Sequence, residues 1–287
     1  MDVISSPKNL CKNCIKSCCY TNELGKVKYL DSCLSDAETI VFLHGFTGSS
    51  RDFLGIPDSI TSRYRCLIPD LSGHGQTQVL EDEAIFNMED QVSLLEQWLK
   101  FTGQSKFHLF GYSMGGRLTV QFAVKNSHRL QSLILVSTTA GINEETTRLK
   151  RAKADAQVAQ IIIHSNPTDF LLSWLAQPLF KGIIDKGKDF ALTEVACRLP
   201  IQPSGLACSL KYFSSGVMPA VWHQLNGIKT PTLVMAGSRD EKYLGLAHEL
   251  AASISNSVLK VLETGHVPLI ESSNLLWEQV AEFLKRS

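Results

Sequence analysis

The sequence predicts an α/β protein, with a mostly parallel sheet, helices on both faces and an inserted helical cap. Three observations carry this prediction. Short apolar runs ending at glycines alternate with amphipathic stretches up to about residue 140. From 141 to 225 the apolar spacing is helical only, with no convincing core strand. After 226 the strand–helix alternation returns and runs to the C-terminus. Residues 25–140 and 226–287 are therefore expected to form the core, and 141–225 a cap above the C-terminal ends of the strands, where open parallel sheets bind ligands. A chain of 287 residues accommodates both.

The elements follow in order. Residues 1–24 are polar, cysteine-rich and without periodicity, and read as a poorly ordered extension. "GKVKYLD" alternates like an edge strand. "ETIVFLHG" and "YRCLIPDLSGHG" read as buried strands that run into glycine turns. "NMEDQVSLLEQWLKFTG" has helical spacing, Asn87 as its cap and Gly103 as its stop. "KFHLFGYS" is a strand, "MGGRLTVQFAVKNS" a helix and "LQSLILVSTTAG" a strand. "RLKRAKADAQVAQIII", "PTDFLLSWLAQPLF" and "LACSLKYFSSG" supply the cap helices. "TPTLVMAGSRD", a helix, "SVLKVLE", the loop "TGHVP" and "NLLWEQVAEFLKR" complete the core.

Composition narrows the function classes. Lys and Arg number 28 and Asp and Glu 28, so no net field points to nucleic acid or an anionic membrane surface. No apolar run reaches spanning length, and the N-terminus lacks the apolar middle of a secretory signal. Five of 8 cysteines fall early: Cys11, Cys14, Cys18, Cys19 and Cys33. "CKNCIKSCC" offers half a zinc site, but the plainer reading is a tail of reduced thiols. Cys66, Cys197 and Cys208 read as scattered thiols, which suits a reducing compartment.

The chemistry centres on Gly111-Tyr112-Ser113-Met114-Gly115, a G-x-S-x-G pattern between a strand and a helix. Such a turn lifts the serine hydroxyl above the sheet and points backbone N–H groups into the same space. A serine hydroxyl needs a base, and the base an orienting acid. Asp240 lies at a strand end and His266 in the loop after the last strand. His108, His128, His164 and His223 have no acid partner at a strand end, and Asp70 is better placed to organise its own loop. His44 suits a structural role, bonding the loop backbone. The N–H groups of Phe46 and Met114 are the expected oxyanion donors.

Beyond about residue 38 the chain resembles the α/β-hydrolase superfamily. Within it, the sequence resembles the 2-succinyl-6-hydroxy-2,4-cyclohexadiene-1-carboxylate synthase (MenH) family. The resemblance rests on "GYSMGGR", on Arg148, Arg151 and Asp155 in "GINEETTRLKRAKAD", and on Trp174 in "SWLAQPLF". Arg198 in "ACRLPIQPSGLA" and the acid loop "GSRDEKYLGLAHELAA" extend it. The cysteine-rich extension has no counterpart in that pattern.

The resemblance implies a lyase that eliminates pyruvate from a tricarboxylate, 2-succinyl-5-enolpyruvyl-6-hydroxy-3-cyclohexene-1-carboxylate, in menaquinone or phylloquinone biosynthesis. It implies Ser113, His266 and Asp240 as the triad and Arg117, Arg151 and Arg198 as carboxylate binders, with Tyr112 and Trp174 in the pocket. Arginine suits carboxylates through its planar fork. The plain alternatives are surface salt bridges for the arginines and aromatic packing for Tyr112 and Trp174. No metal or organic cofactor is expected. A small molecule is the expected partner, with no nucleic acid and no membrane. The expected setting is a soluble protein of the bacterial cytoplasm or a plastid. Oligomeric state is left open, with a monomer as the expectation. Two other readings stand beside this one: a serine hydrolase of esters or carbon–carbon bonds, and a non-catalytic hydrolase-like receptor.

Overall fold

The computed structural model describes residues 15–79 and 83–286. Its strands are β1 (Lys16–Asn22), β2 (Gly25–Asp31), β3 (Thr39–Leu43), β4 (Arg65–Pro69), β5 (Gln78–Val79), β6 (Phe107–Tyr112), β7 (Leu130–Val136), β8 (Thr232–Gly237) and β9 (Ser257–Leu262). They form one sheet in the order β1-β2-β4-β3-β6-β7-β8-β9, with β5 against β2. Pairing is antiparallel around β2 and parallel from β4 through to β9.

The helices are α1 (Asp58–Thr61), α2 (Met88–Phe101), α3 (Met114–Asn126), α4 (Glu145–His164), α5 (Pro167–Leu175), α6 (Lys181–Ile184), α7 (Lys188–Arg198), α8 (Pro203–Phe213), α9 (Glu241–Ser253), α10 (Pro268–Glu271) and α11 (Ser273–Leu284). As expected from sequence, the Asn87 side chain caps α2 by accepting from the Asp90 N–H, and Gly103 follows its end with a φ of +76°.

Strand side chains alternate between two apolar layers. Val41, Leu43, Leu109, Leu135 and Val234 face the layer built from α2, α3 and α9. Ile40, Phe42, Phe110, Ile134 and Met235 face the opposite layer, where Trp277 of α11 packs on Phe42 and Phe110. That second layer continues without a break into α4–α8 through Ile162, Phe170, Leu171, Val195 and Leu206. The five helices between β7 and β8 thus share a core with the sheet.

Glycines let these helices approach the core closely. A Cβ on Gly73 would lie 2.3 Å from the Gly205 carbonyl oxygen at the start of α8, and one on Gly216 2.4 Å from the Ala152 nitrogen in α4.

The N-terminal region differs from expectation. From Lys16 onward the chain is a strand, and the segment expected at the edge, β2, has β1 outside it. The sequence "KSCCYTN" lacks two-residue alternation because β1 is only half covered. Its position comes from the turn into β2, where the Asn22 side chain accepts from the Leu24 N–H. Cys18 and Cys19, adjacent on β1, project from opposite faces, which does not suit a shared ion. Among the described residues no group of three or more His, Cys, Asp or Glu side chains is placed to hold a metal. Cys11 and Cys14 lie outside the described residues.

Asp31 ties β2 to β4. Its carboxylate accepts from Arg65 Nε at 3.0 Å, Arg65 Nη2 at 2.6 Å and the Cys33 N–H at 2.7 Å. Burial acts to raise the carboxyl, but these partners outweigh it and hold it below its ordinary 3.8. A depressed carboxylate stabilises the fold above its unfolded pKa, and that stability is lost as pH falls through the folded value.

Asp31→Asn should cost about 1–3 kcal/mol near neutrality. Denaturant titrations of wild type and variant should show a gap that narrows as the pH falls below 3.8. A second expectation concerns the turn after β6. At Gly115 a Cβ would meet the Leu43 and His44 carbonyl oxygens at 2.3 and 2.6 Å, whereas at Gly55 it would meet nothing within 4 Å. Gly115→Ala should cost about 1–3 kcal/mol, and Gly55→Ala no more than about 0.5 kcal/mol, both read from chemical unfolding.

Candidate active site

Four parallel strands end on one side of the sheet and deliver the candidate residues there. Ser113 follows β6, His44-Gly45-Phe46 follows β3, Asp240 follows β8 and His266 follows β9. Ser113 has φ +49° and ψ −105°, a left-handed conformation that costs a non-glycine residue on the order of 1–3 kcal/mol. Its surroundings hold it there. The Ser113 N–H donates to Val136, and the Ser113 carbonyl accepts from the Arg117 N–H and the Thr138 hydroxyl. The Gly115 N–H donates to His44, which fixes the β3 loop beside the turn.

The triad expected from sequence is assembled. Ser113 Oγ lies 3.0 Å from His266 Nε2, and His266 Nδ1 lies 2.6 Å from Asp240 Oδ2. Asp240 Oδ1 caps α9 by accepting from the Tyr243 N–H at 3.3 Å. This arrangement makes Nδ1 the proton donor to Asp240 and leaves Nε2 to accept the serine proton. His266 and Asp240 are buried, while Ser113 keeps partial exposure.

The other histidines lie elsewhere. His108 bonds Ser132 within the sheet, and His128, His164 and His223 take no part in this arrangement. His44 bonds the Gly45 carbonyl through Nδ1 and accepts from the Leu71 N–H through Nε2. Asp70 accepts from the Ser50 and Gln76 N–H groups, so it organises its own loop.

Phe46 and Met114 flank the serine. A Cβ on Gly45 would lie 3.7 Å from Ser113 Cβ, so the residue before Phe46 touches the turn. Neither the Phe46 nor the Met114 N–H donates to an acceptor among the described residues. The Phe46 ring meets His74 at 5.5 Å and Trp174 at 5.1 Å, and Trp174 meets Phe180 at 5.7 Å. Phe180 in turn lies 6.3 Å from the His266 ring. These rings form a wall between core and cap, and Tyr112 packs beside His266 at 5.8 Å.

The three arginines differ in their partners. Arg117, in the first turn of α3, is buried at 8% exposure. It donates Nη2 to the Phe213 carbonyl at 3.2 Å, its Nε has no partner, and no carboxylate of the described residues reaches ion-pair distance. Burial pulls its pKa down to about 10, with Tyr243 and Asp155 opposing and Arg151 adding to the fall. It remains a cation at neutral pH, in a place where the helix dipole also disfavours one.

Arg151 donates Nε to both oxygens of Asp155, at 2.8 and 2.9 Å. Arg198 donates to the carbonyl and carboxylate of Glu194, and its Nε is left without a partner. Arg117 and Arg151 lie within electrostatic reach of Tyr243, and Arg198 within reach of Tyr112 and Asp52.

Sequence reasoning missed several neighbours. The Tyr243 ring packs tilted against His266, 4.4 Å between ring centres. Burial pushes its hydroxyl pKa up, with Arg117 and Arg151 acting against that rise. His74 is held neutral near a pKa of about 3, by burial first and then by His44 and Arg117. It bonds the Ser72 carbonyl through Nδ1, and its Nε2 has no partner. Tyr243 was within reach of sequence reasoning, because the N–H three places after a helix-capping acid bonds that acid, which sets residue 243 beside Asp240. For His74 "SGHG" offered no signal beyond a turn.

A cavity of about 290 Å³ adjoins this region, lined by Thr47, His74 and Arg198 among others and by none of the triad.

Residues 38–273 match the family described as the alpha/beta hydrolase fold. A protein of Bacillus subtilis (strain 168), provisionally named 2-succinyl-6-hydroxy-2,4-cyclohexadiene-1-carboxylate synthase, is 32% identical over 86% of this chain and 90% of its own length. The Arabidopsis thaliana protein PHYLLO, chloroplastic, is 24% identical over 88% of this chain, which spans only 16% of that longer protein. Among solved structures, MenH from S. aureus superposes with a TM-score of 0.84 at 33% identity, covering 91% of this chain and 98% of its own. A matching family over most of the chain, and relatives above 30% identity along nearly their whole lengths, make this chain a member of the α/β-hydrolase fold family and, within it, of the 2-succinyl-6-hydroxy-2,4-cyclohexadiene-1-carboxylate synthase (MenH) family.

Proposed function

We propose that this chain eliminates pyruvate from 2-succinyl-5-enolpyruvyl-6-hydroxy-3-cyclohexene-1-carboxylate to give 2-succinyl-6-hydroxy-2,4-cyclohexadiene-1-carboxylate, a step in menaquinone or phylloquinone biosynthesis. The observation that carries this reading is Arg117, a buried guanidinium next to the serine turn with no carboxylate of its own. A buried unpaired charge is costly, and an anionic substrate would supply what the fold does not. Ester hydrolysis by the same triad would give no reason to bury that cation.

In the proposed mechanism His266 Nε2 takes the Ser113 proton, and the serine oxygen removes the ring proton next to the succinyl carbonyl. Negative charge moves to the carbonyl oxygen, which the Phe46 and Met114 N–H groups receive. The ring double bond shifts as the carbonyl re-forms, the carbon–oxygen bond to the enolpyruvyl group breaks, and the released enolate takes the proton held by His266 on its methylene carbon to become pyruvate. Asp240 keeps His266 oriented and offsets its transient positive charge.

Arg117, Arg151 and Arg198 bind the three carboxylates, the last two by loosening their holds on Asp155 and Glu194. Tyr112 and Trp174 line the pocket. The substrate is a small molecule, and the relatives suit a bacterial cytoplasm or a plastid. No described helix is long and apolar enough to cross a membrane.

Pyruvate release, followed through NADH loss with lactate dehydrogenase, tests the reading. Ser113→Ala should lose at least about 100-fold in kcat, and activity retained in that variant would sink the mechanism. Arg117→Ala should lose on the order of 100-fold in kcat/KM. Arg117→Lys should recover only part of this, because an ammonium cannot grip a carboxylate with a fork.

A further inference from the structure

The buried carboxylate of Glu271 brackets the triad histidine from both sides. Glu271 ends α10, and its side chain is 3% exposed. Oε2 accepts from the Gly265 N–H at 2.6 Å, and Oε1 accepts from the Val267 N–H at 3.1 Å. These N–H groups belong to the two residues on either side of His266. Oε2 also accepts from Arg239 Nη2 at 3.0 Å.

Arg239 immediately precedes Asp240. It reaches across to the histidine loop, donating Nη1 to the Glu263 carbonyl at 3.0 Å and its own N–H to the Thr264 carbonyl at 2.9 Å. One carboxylate therefore joins the loop that carries the base to the loop that carries the acid.

Glu271 also has no room to move. A Cβ on Gly182, in α6 of the cap, would lie 2.1 Å from Glu271 Cδ, and one on Gly265 would lie 2.9 Å from Oε1. The cap therefore rests on the same carboxylate that holds the histidine loop.

We propose that Glu271 is a positioning residue for His266, fixing the imidazole by gripping the N–H groups of the residues before and after it and tying that grip to Arg239 and to the cap at Gly182. This rests on the triad reading of Ser113, His266 and Asp240. The bond from His266 to Asp240 is 2.6 Å and that to Ser113 is 3.0 Å, so a small shift of the loop weakens both. A displacement of about 1 Å at a reacting group costs on the order of 100-fold in rate.

The test compares Glu271→Gln and Glu271→Ala with wild type in the full chain. Three quantities are read: the downfield proton NMR signal of His266 Nδ1–H, assigned by its absence from His266→Gln; kcat and KM for pyruvate release; and Tm. A glutamine retains one acceptor oxygen where the carboxylate served three donors. The signal should broaden or vanish in both variants, and kcat should fall about 10- to 100-fold, with KM held within about twofold.

A signal and a kcat that stay at wild-type level while only Tm drops would show a merely structural role and overturn the proposal. Should the Glu271 variants not fold, Arg239→Met serves instead, its side chain being 62% exposed. It should broaden the same signal and lower kcat several-fold, and an unchanged signal would overturn the proposal equally. The NMR signal is independent of substrate. Its loss in a series whose wild type releases no pyruvate would support the positioning role while rejecting the proposed substrate.

Discussion

The turn at Ser113 imposes a steric demand that the surrounding structure has to meet. A serine at a φ of +49° is strained, and only a crowded, well-bonded neighbourhood keeps it there. Glycines remove what would otherwise collide. Side chains at 111, 115 and 116 would strike Thr119, the Leu43 carbonyl and Thr138 in turn. Close approach then brings its own bonds, because the Gly115 N–H can reach the His44 carbonyl only when no side chain stands at 115. That bond brings the β3 loop against the turn that carries Met114. Strand ends, glycine placement and the packing of the β3 loop on the serine turn are thus one requirement.

Charge in the cap follows a second logic. Asp155 holds Arg151 and Glu194 holds Arg198, each across one helical turn within a single helix. Arg117 has only a carbonyl and the face of Phe213, 5.9 Å from its ring centre. Two cations are therefore stored on local counter-ions, and one is left uncompensated beside the serine. Burial first, and then repulsion from His44 and Arg117, keeps the nearby His74 neutral. The proposed substrate enters a region whose positive charge is already desolvated, where each ion pair it forms is stronger than in water.

Much of the architecture was legible because it depends on local periodicity. Runs such as "TIVFL" and "TLVMAG" are apolar on both faces, as strands covered on both sides must be, and the turn glycines mark where they end. The triad was legible because each member sits at a strand end with a distinctive neighbour sequence. The features that escaped depend on contacts that exist only in the folded chain. β1 has no alternation of its own and is a strand because β2 offers it an edge. The α7 helix carries a mixed polar surface, with only Ala191 and Val195 buried. Nothing in "RLPIQP" shows that Arg198 will turn back onto Glu194. Glu271 lies five residues beyond His266, a spacing without meaning until α10 folds the chain back over the loop.

The triad is also a long-range object in the chain. Ser113 and His266 are 153 residues apart, and the five cap helices lie between them. The serine turn belongs to the middle of the sheet, whereas Asp240 arrives with β8 and His266 with β9 at its far edge. During synthesis the serine leaves the ribosome long before its base exists. Under the proposed mechanism a partly made or partly folded chain holds a hydroxyl without its base, and reactivity waits for the last strand to dock. In this fold, activity is a readout of completed assembly.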